Sequence, residues 1–505
     1  MKEKLPDSMD AQGWPTLGDM PADEFRAALH RIADWIADYR AGIEDLRISP
    51  DIKPGDIISR LPQALPAEAA PLEEIFSDFQ ELVLPGLVHW GHPSFLGYFG
   101  STTTAPGIIG EMLAAALNVS AMTWRTSPAA TELETLVLDW LRQMLCLPTS
   151  FTGIVYDTAS IAVLHALAAA RESLSLDARA LGLCGRPEVP TLRIYASDQA
   201  HSSVEKAAIM LGLGERNVRR VASDESYSMN VAALREAIEE DLREGHLPLT
   251  VVATVGTTST ASVDAVEEIV VLCRERSLWL HVDAAYGGAM ALLPEGRQLM
   301  RGLTDADSIV VNPHKWLFVP LDFSALYVRR PELLRATFSL VPEYLRGDAE
   351  QAERNYMDYG VQLGRRFRAL KAWMVFRSFG QNGLAARIRE HLRLAHLFAS
   401  WLEADSRFEL LAQVTMAVVC FRFVTHKDDD EQLDGEELNN LNRQLVEAIN
   451  ATGEAYLTHT LLRGRVAIRL AVGNVLTTEQ HLARVLELIK HEAANLILPS
   501  LGVAR

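Results

Sequence analysis

Cysteine is scarce in this chain. Its 505 residues hold four, Cys146, Cys184, Cys273 and Cys420, with no CxxC pair. That argues against a disulfide framework or a zinc ribbon. Long apolar runs are missing too, and no stretch nears the ~18 residues of an ordinary transmembrane helix. The opening MKEKLPDSMDAQGW lacks a basic segment followed by an apolar one. No signal peptide is expected, and the default compartment is the cytoplasm. Basic charge is in deficit: 48 Lys plus Arg against 66 Asp plus Glu give a net charge of −18. Neither nucleic acid nor an anionic membrane is an expected partner. The rest is ordinary globular composition, 49% hydrophobic and 23% charged, enough to bury a large core.

The first hundred residues read as helices joined by proline-rich connections. Phe25, Leu29, Ile32, Ala33, Ile36 and Tyr39 recur at helical spacing, and a second helix runs over about 72–83. Two such helices cannot close a core alone, so they need a larger body to pack on. Ser127-Pro128 then offers a helix start. After it, apolar runs at 192–196, 249–255, 278–282, 308–311 and 325–328 read as buried strands. Helical patterns separate most of them. This alternation predicts an α/β fold with a mainly parallel sheet covered on both faces. Beyond residue 375 the pattern changes to a smaller α+β unit. The division is therefore 1–100, 101–375 and 376–505.

A parallel sheet binds ligands at the carboxyl ends of its strands, and four groups of residues fall there. Lys315, in Asn312-Pro313-His314-Lys315-Trp316, follows a strand; held from water, its amine favours imine formation with an aldehyde. Asp283, in HVDAAYGG, ends another strand, where a carboxylate needs a cationic partner such as a pyridinium nitrogen. The glycines behind it would let backbone pass close to a bound ring. Thr158, Ala159 and Ser160 open a helix and make a phosphate seat. His201, in SDQAHSSVEKA, can stack on an aromatic ring or move a proton. Singly, each has a plain alternative: a solvated lysine, a capping aspartate, an ordinary helix cap, a structural histidine. Jointly they are the set that pyridoxal phosphate requires.

HVDAAYGG, NPHKW, SDQAHSSVEKA, TSPAATELE and LGRRFRALKAW together resemble the group II pyridoxal-phosphate decarboxylases, nearest to the aromatic-L-amino-acid decarboxylases. The resemblance spans nearly the whole chain. It implies the aspartate-aminotransferase-like fold type I, with a seven-stranded large domain. It also implies a homodimer with active sites at the subunit interface, the N-terminal helices clasping the partner. Lys315 would carry pyridoxal 5'-phosphate, Asp283 would pair with its ring nitrogen, and His201 and Ala285 would cover its two faces. Ala159, Ser160, Thr258 and Asn312 would hold the cofactor chiefly around its phosphate, with Thr158 and His314 assisting. Trp90, Tyr98, Phe99 and Ser101 would line the pocket of a small amino-acid substrate.

The implied reaction is decarboxylation of an aromatic L-amino acid to an arylalkylamine and CO2. Tyr344, in VPEYLRGD, matches a loop tyrosine that protonates Cα in the family; members with phenylalanine there make an aldehyde instead. Gly364 leaves room for a large ring. Ser120 and Met122 replace bulkier residues, which tilts the reading towards indoles; the same widening leaves a non-aromatic substrate open. Alternatives are an aldehyde synthase, a decarboxylase of glutamate, diaminobutyrate or histidine type, and a cofactor-binding protein without catalysis.

Overall fold

The computed structural model describes residues 19–100, 102–340, 354–424 and 435–500. Its centre is a seven-stranded sheet: β1 (Thr152–Tyr156), β2 (Leu192–Ser197), β3 (Val218–Val221), β4 (Leu247–Thr254), β5 (Trp279–Asp283), β6 (Ser308–Val311) and β7 (Ser324–Val328). The order is β1-β7-β6-β5-β4-β2-β3. β3, β2, β4, β5 and β6 are mutually parallel. β7 runs antiparallel to both its neighbours, so β1 points the same way as β6. β5, β6 and β7 are buried at every residue. Burial on both faces is why they read as unbroken apolar runs.

The five anticipated strands are present, and two more join them. β1 was hidden by Gly153, which reads as a strand breaker. A Cβ at Gly153 would lie 2.8 Å from the Tyr327 ring and 2.9 Å from Leu138. The glycine lets helix Pro128–Met144 and β7 close on this strand. β3 is short, Val-Arg-Arg-Val, and its two arginines masked it. Pro128 does occupy the first helical turn, but Ser127 makes no side-chain cap. Its hydroxyl donates to the Ser120 carbonyl at 2.8 Å instead.

A second, antiparallel sheet holds β8 (Phe408–Leu410), β9 (Val418–Phe423), β10 (Thr458–Leu462) and β11 (Arg465–Ala471), in the order β10-β11-β9-β8. Helices Ala369–Glu403, Gly435–Thr452 and Glu479–Ser500 accompany it. The first of these is kinked at Gly380, where φ is +63°. One continuous apolar core runs from Leu96 through the large sheet to Ala493. At the other end, helices Ala22–Ala41 and Leu72–Asp78 meet through Trp35, edge-on to Phe76 and Phe79 at 5.9 and 5.3 Å. Phe25, Ile58, Leu65 and Ile75 stay more than half exposed.

Candidate active site

Lys315, Asp283, His201 and the Thr158–Ser160 turn all sit at the carboxyl ends of strands of the large sheet. β6 delivers Asn312 and then the short turn Pro313–Trp316 that carries Lys315. The Lys315 ammonium sits 5.0 Å from the centre of the Phe99 ring. Burial lowers its pKa; Asp283 opposes the shift and Arg469 adds to it. A larger share of free amine results, which is the form that attacks a carbonyl.

Asp283 ends β5 and is 8% exposed. One oxygen accepts from the Ala285 N–H at 3.0 Å. His201 follows β2, and its Nδ1 accepts from the Ser203 N–H at 3.1 Å, with Ser203 Oγ 2.9 Å away. Nε2 therefore carries the proton of the neutral ring. Burial lowers the His201 pKa against the pull of Asp283, so the ring is neutral near pH 7.

Helix Ala159–Glu172 starts after β1. Thr158 Oγ1 caps it by accepting from Ile161 N–H at 3.4 Å. The N–H groups of Ala159 and Ser160 lie in the first turn and have no intrahelical acceptor. They and the helix dipole offer an anion seat. Ser324 ties this corner to the lysine turn: its hydroxyl is 2.7 Å from Asn312 Oδ1 and 3.5 Å from the Asp157 carbonyl. The Asn312 amide in turn lies 3.3 Å from His314 Nε2. His314 Nδ1 accepts from Phe323 N–H at 2.9 Å, and burial pushes its pKa down to about 3. The glycines after Asp283 differ from expectation. A Cβ at Gly287 would strike the Val255 carbonyl at 2.4 Å, and one at Gly288 the Val311 side chain at 2.8 Å. They permit packing between strand exits, not the approach of a ring.

A cleft of about 470 Å³ brings together Trp90, Tyr98, Phe99, His201, Thr258 and Lys315, with His314 at its base. Trp90 and Tyr98 stack at 5.5 Å. Phe99 stacks on Tyr286 at 3.9 Å, and Tyr286 on Trp316 at 4.7 Å. Arg469, on β11, completes the wall: its guanidinium lies 4.6 Å from the Phe99 ring centre and donates to Ser259 O at 3.1 Å. It also donates to the Tyr98 carbonyl. Arg469 went unnoticed in the sequence. The available signal was an arginine in the interior of the strand RVAIRLA, past its opening Arg465 and among apolar residues, a charge that needs a reason to be buried.

Ser120, Met122 and Gly364 do not line this cleft within one chain. Ser120 Oγ accepts from Arg365 N–H at 3.3 Å, and the Met122 carbonyl from Met357 N–H at 3.1 Å. Gly364 is exposed, and a Cβ there would meet nothing within 4 Å. Ser101 and Tyr344 lie outside the described residues.

The donor set fits pyridoxal phosphate. Asp283 is a buried carboxylate whose one hydrogen bond among the described residues comes from a backbone N–H. A protonated ring nitrogen would compensate it. Lys315 supplies the amine, and the Ala159–Ser160 turn supplies free N–H groups for a phosphate. An open α/β sheet with this set at its carboxyl edge defines a lysine-bound cofactor enzyme of fold type I. The model of the pyridoxal-dependent decarboxylase conserved domain matches residues 54–424. The chain is 39% identical over 491 residues to tryptophan decarboxylase 2 of Oryza sativa subsp. japonica, covering 95% of this chain and 97% of that one. It is 38% identical over 491 residues to phenylacetaldehyde synthase of Arabidopsis thaliana, covering 95% and 98%. The crystal structure of Oryza sativa TDC with PLP and tryptamine superposes with a TM-score of 0.90 at 37% identity, covering 95% and 100%. This chain belongs to the pyridoxal-dependent decarboxylase family. It is a carboxy-lyase, and pyridoxal 5'-phosphate is its cofactor.

Proposed function

We propose that the chain decarboxylates an aromatic L-amino acid to the corresponding arylalkylamine and CO2. The observation that carries this is the cleft itself: Lys315 Nζ faces the Phe99 ring at 5.0 Å, beside the stacked pair Trp90 and Tyr98. Flat apolar walls next to the reactive amine suit an aromatic side chain. The cofactor supplies an electron sink for the pair left when the Cα–carboxylate bond breaks. The chain's own residues do the rest. Lys315 would hold the cofactor through its amine. Asp283 would keep a ring nitrogen protonated. His201 presents a neutral imidazole whose Nε2 carries its proton. Tyr344 returns a proton to Cα, which makes the product an amine rather than an aldehyde.

We also propose that the working unit is a homodimer. Ile109, Leu113 and Leu117, on helix Ala105–Leu117, are 49%, 46% and 59% exposed, and Phe25 and Ile75 are exposed on the N-terminal helices. Apolar faces of this kind favour burial against a second copy. Ser120, Met122 and Gly364 would then reach the partner's cleft.

The test is a substrate panel on the purified, cofactor-loaded protein, following amine, aldehyde and CO2 by mass spectrometry. The panel spans tryptophan, dihydroxyphenylalanine, tyrosine, phenylalanine, histidine, glutamate and diaminobutyrate. Amine from one or more aromatic substrates supports the reading. Turnover of glutamate or diaminobutyrate alone overturns the aromatic assignment. A monomer in sedimentation velocity, with full activity, overturns the dimer.

A further inference from the structure

Trp316, the residue after Lys315, faces away from the cleft and is 1% exposed. Its indole can only donate. It donates to Nδ1 of His391 at 3.0 Å. That fixes the tautomer: Nε2 of His391 carries the proton and donates to the Asn474 carbonyl at 3.1 Å. His391 is 2% exposed, and burial pushes its pKa down to about 4, so the ring is neutral and one tautomer satisfies both contacts. Asn474 carries the chain onward. Its side-chain amide donates to the carbonyls of Gly91 at 2.8 Å and His92 at 3.0 Å. Those two residues directly follow Trp90, which lines the cleft.

Two routes thus leave the lysine turn through one side chain. The Trp316 ring stacks on Tyr286, which stacks on Phe99, one wall of the cleft. The Trp316 N–H runs through His391 and Asn474 to the segment bearing Trp90, the other wall. None of the groups between touches the cleft contents. All are nearly solvent-free, with Asn474 also 2% exposed.

We propose that His391 is a positioning residue for the decarboxylation: it acts through Trp316 and Asn474 to hold the Lys315 turn in register with the Trp90 wall. This rests on the assignment of Lys315 and of the cleft made above. Small errors in that register weigh on the chemical step, since displacements near 1 Å can cost about 100-fold in rate. Each wall still offers its own surface to the substrate, so binding suffers less than turnover.

The experiment compares wild type, His391→Phe, His391→Gln and Trp316→Phe, each cofactor-loaded and normalised to bound cofactor by absorbance. The substrate is whichever panel member is turned over fastest. His391→Phe is expected to lower kcat about tenfold or more with KM within about threefold. Trp316→Phe keeps the stack and loses the N–H, so it should show the same split. His391→Gln offers an amide oxygen and an N–H and should recover most of kcat. The double variant His391→Phe with Trp316→Phe should be no worse than the poorer single one, because both remove one link. Wild-type kcat in His391→Phe or in Trp316→Phe, whichever folds, overturns the proposal. So do independent, multiplying effects in the double variant, or a loss confined to melting temperature. No panel turnover by wild type, with cofactor bound, would instead be a failure of the substrate reading.

Discussion

Arg365 grips Glu134 with both ends of its guanidinium, at 2.6 and 3.1 Å, and the two side chains are 4% and 2% exposed. Arg365 also donates to the carbonyls of Ala121 and Val155, each at 2.9 Å. Its guanidinium lies 4.9 Å from the centre of the Tyr356 ring. One side chain therefore joins helix Pro128–Met144, β1, the 120–122 loop and the segment leading to Gly364. These are the places where Ser120, Met122 and Gly364 sit.

Breaking this pair from one side should be costly, because the survivor is left charged and buried. Glu134→Gln or Arg365→Met is expected to destabilise the fold by about 3–5 kcal/mol. Replacing both with apolar residues of similar volume should recover most of that loss. Denaturant unfolding of the three variants checks it. A double variant no more stable than the singles would mean that the backbone carbonyls, not the ion pair, need the arginine.

This pair also shows what the sequence could and could not reveal. Lys315, Asp283 and His201 were legible because each sits at the carboxyl end of a mostly apolar strand, so position along the chain implied position in space. Arg365 and Glu134 are 231 residues apart, and no local pattern joins them; only the motifs LGRRFRALKAW and TSPAATELE held them. The link from Trp316 to His391, 75 residues apart, was invisible for the same reason. β1 and β3 escaped because a close-packed glycine and two arginines broke the apolar signal. The site's chemistry is local to strand ends, whereas its support is long-range.

Lys315→Ala should abolish turnover, a loss of more than about 1000-fold, as for removing a covalent catalytic group. The variant should fold, since Lys315 is half-buried and its ammonium makes no ion pair among the described residues. Steady-state decarboxylation at a tenth of the wild-type rate would refute the assignment.

Acid should weaken the fold well above the carboxylate range. Burial holds His165, His281 and His391 near pKa 4 and His314 near 3. The unfolded chain protonates them near 6.5, so between that value and about 4 it binds more protons than the folded one. Stability is full above about pH 6.5 and falls on acidification, by about 1.4 kcal/mol per pH unit for each fully titrating histidine. Asp264, raised to about 6 by burial, acts oppositely, but it is one group against four. Urea unfolding at pH 7, 6 and 5 tests the sum; constant or rising stability on acidification contradicts it.

Gly364 has open space around it, and its backbone does not require glycine. Gly364→Phe should fold with little change in melting temperature. If Gly364 faces the partner's cleft, the added ring should lower kcat/KM for tryptophan more than for phenylalanine. An equal change for both substrates would remove Gly364 from the specificity wall.

The role proposed for Tyr344 is to set the product. Once CO2 has left, the carbon that becomes the amine's Cα needs a proton, and a phenol can deliver it at neutral pH as general acid. Phenylalanine keeps the ring and loses the donor. The electron-rich carbon then stays exposed to oxygen for longer. Oxidation by O2 with water gives aldehyde, ammonia and hydrogen peroxide in place of amine. The similarity to phenylacetaldehyde synthase, 38% identity over nearly the whole chain, fits a scaffold on which both outcomes occur. Tyr344→Phe should therefore convert most product to aldehyde, with CO2 release retained and one peroxide formed per aldehyde. Mass spectrometry of the organic products and an oxygen electrode read both sides of that balance. Undiminished amine with no oxygen uptake would show that the proton comes from another group, and His201, whose Nε2–H borders the same cleft, would be the next residue to change.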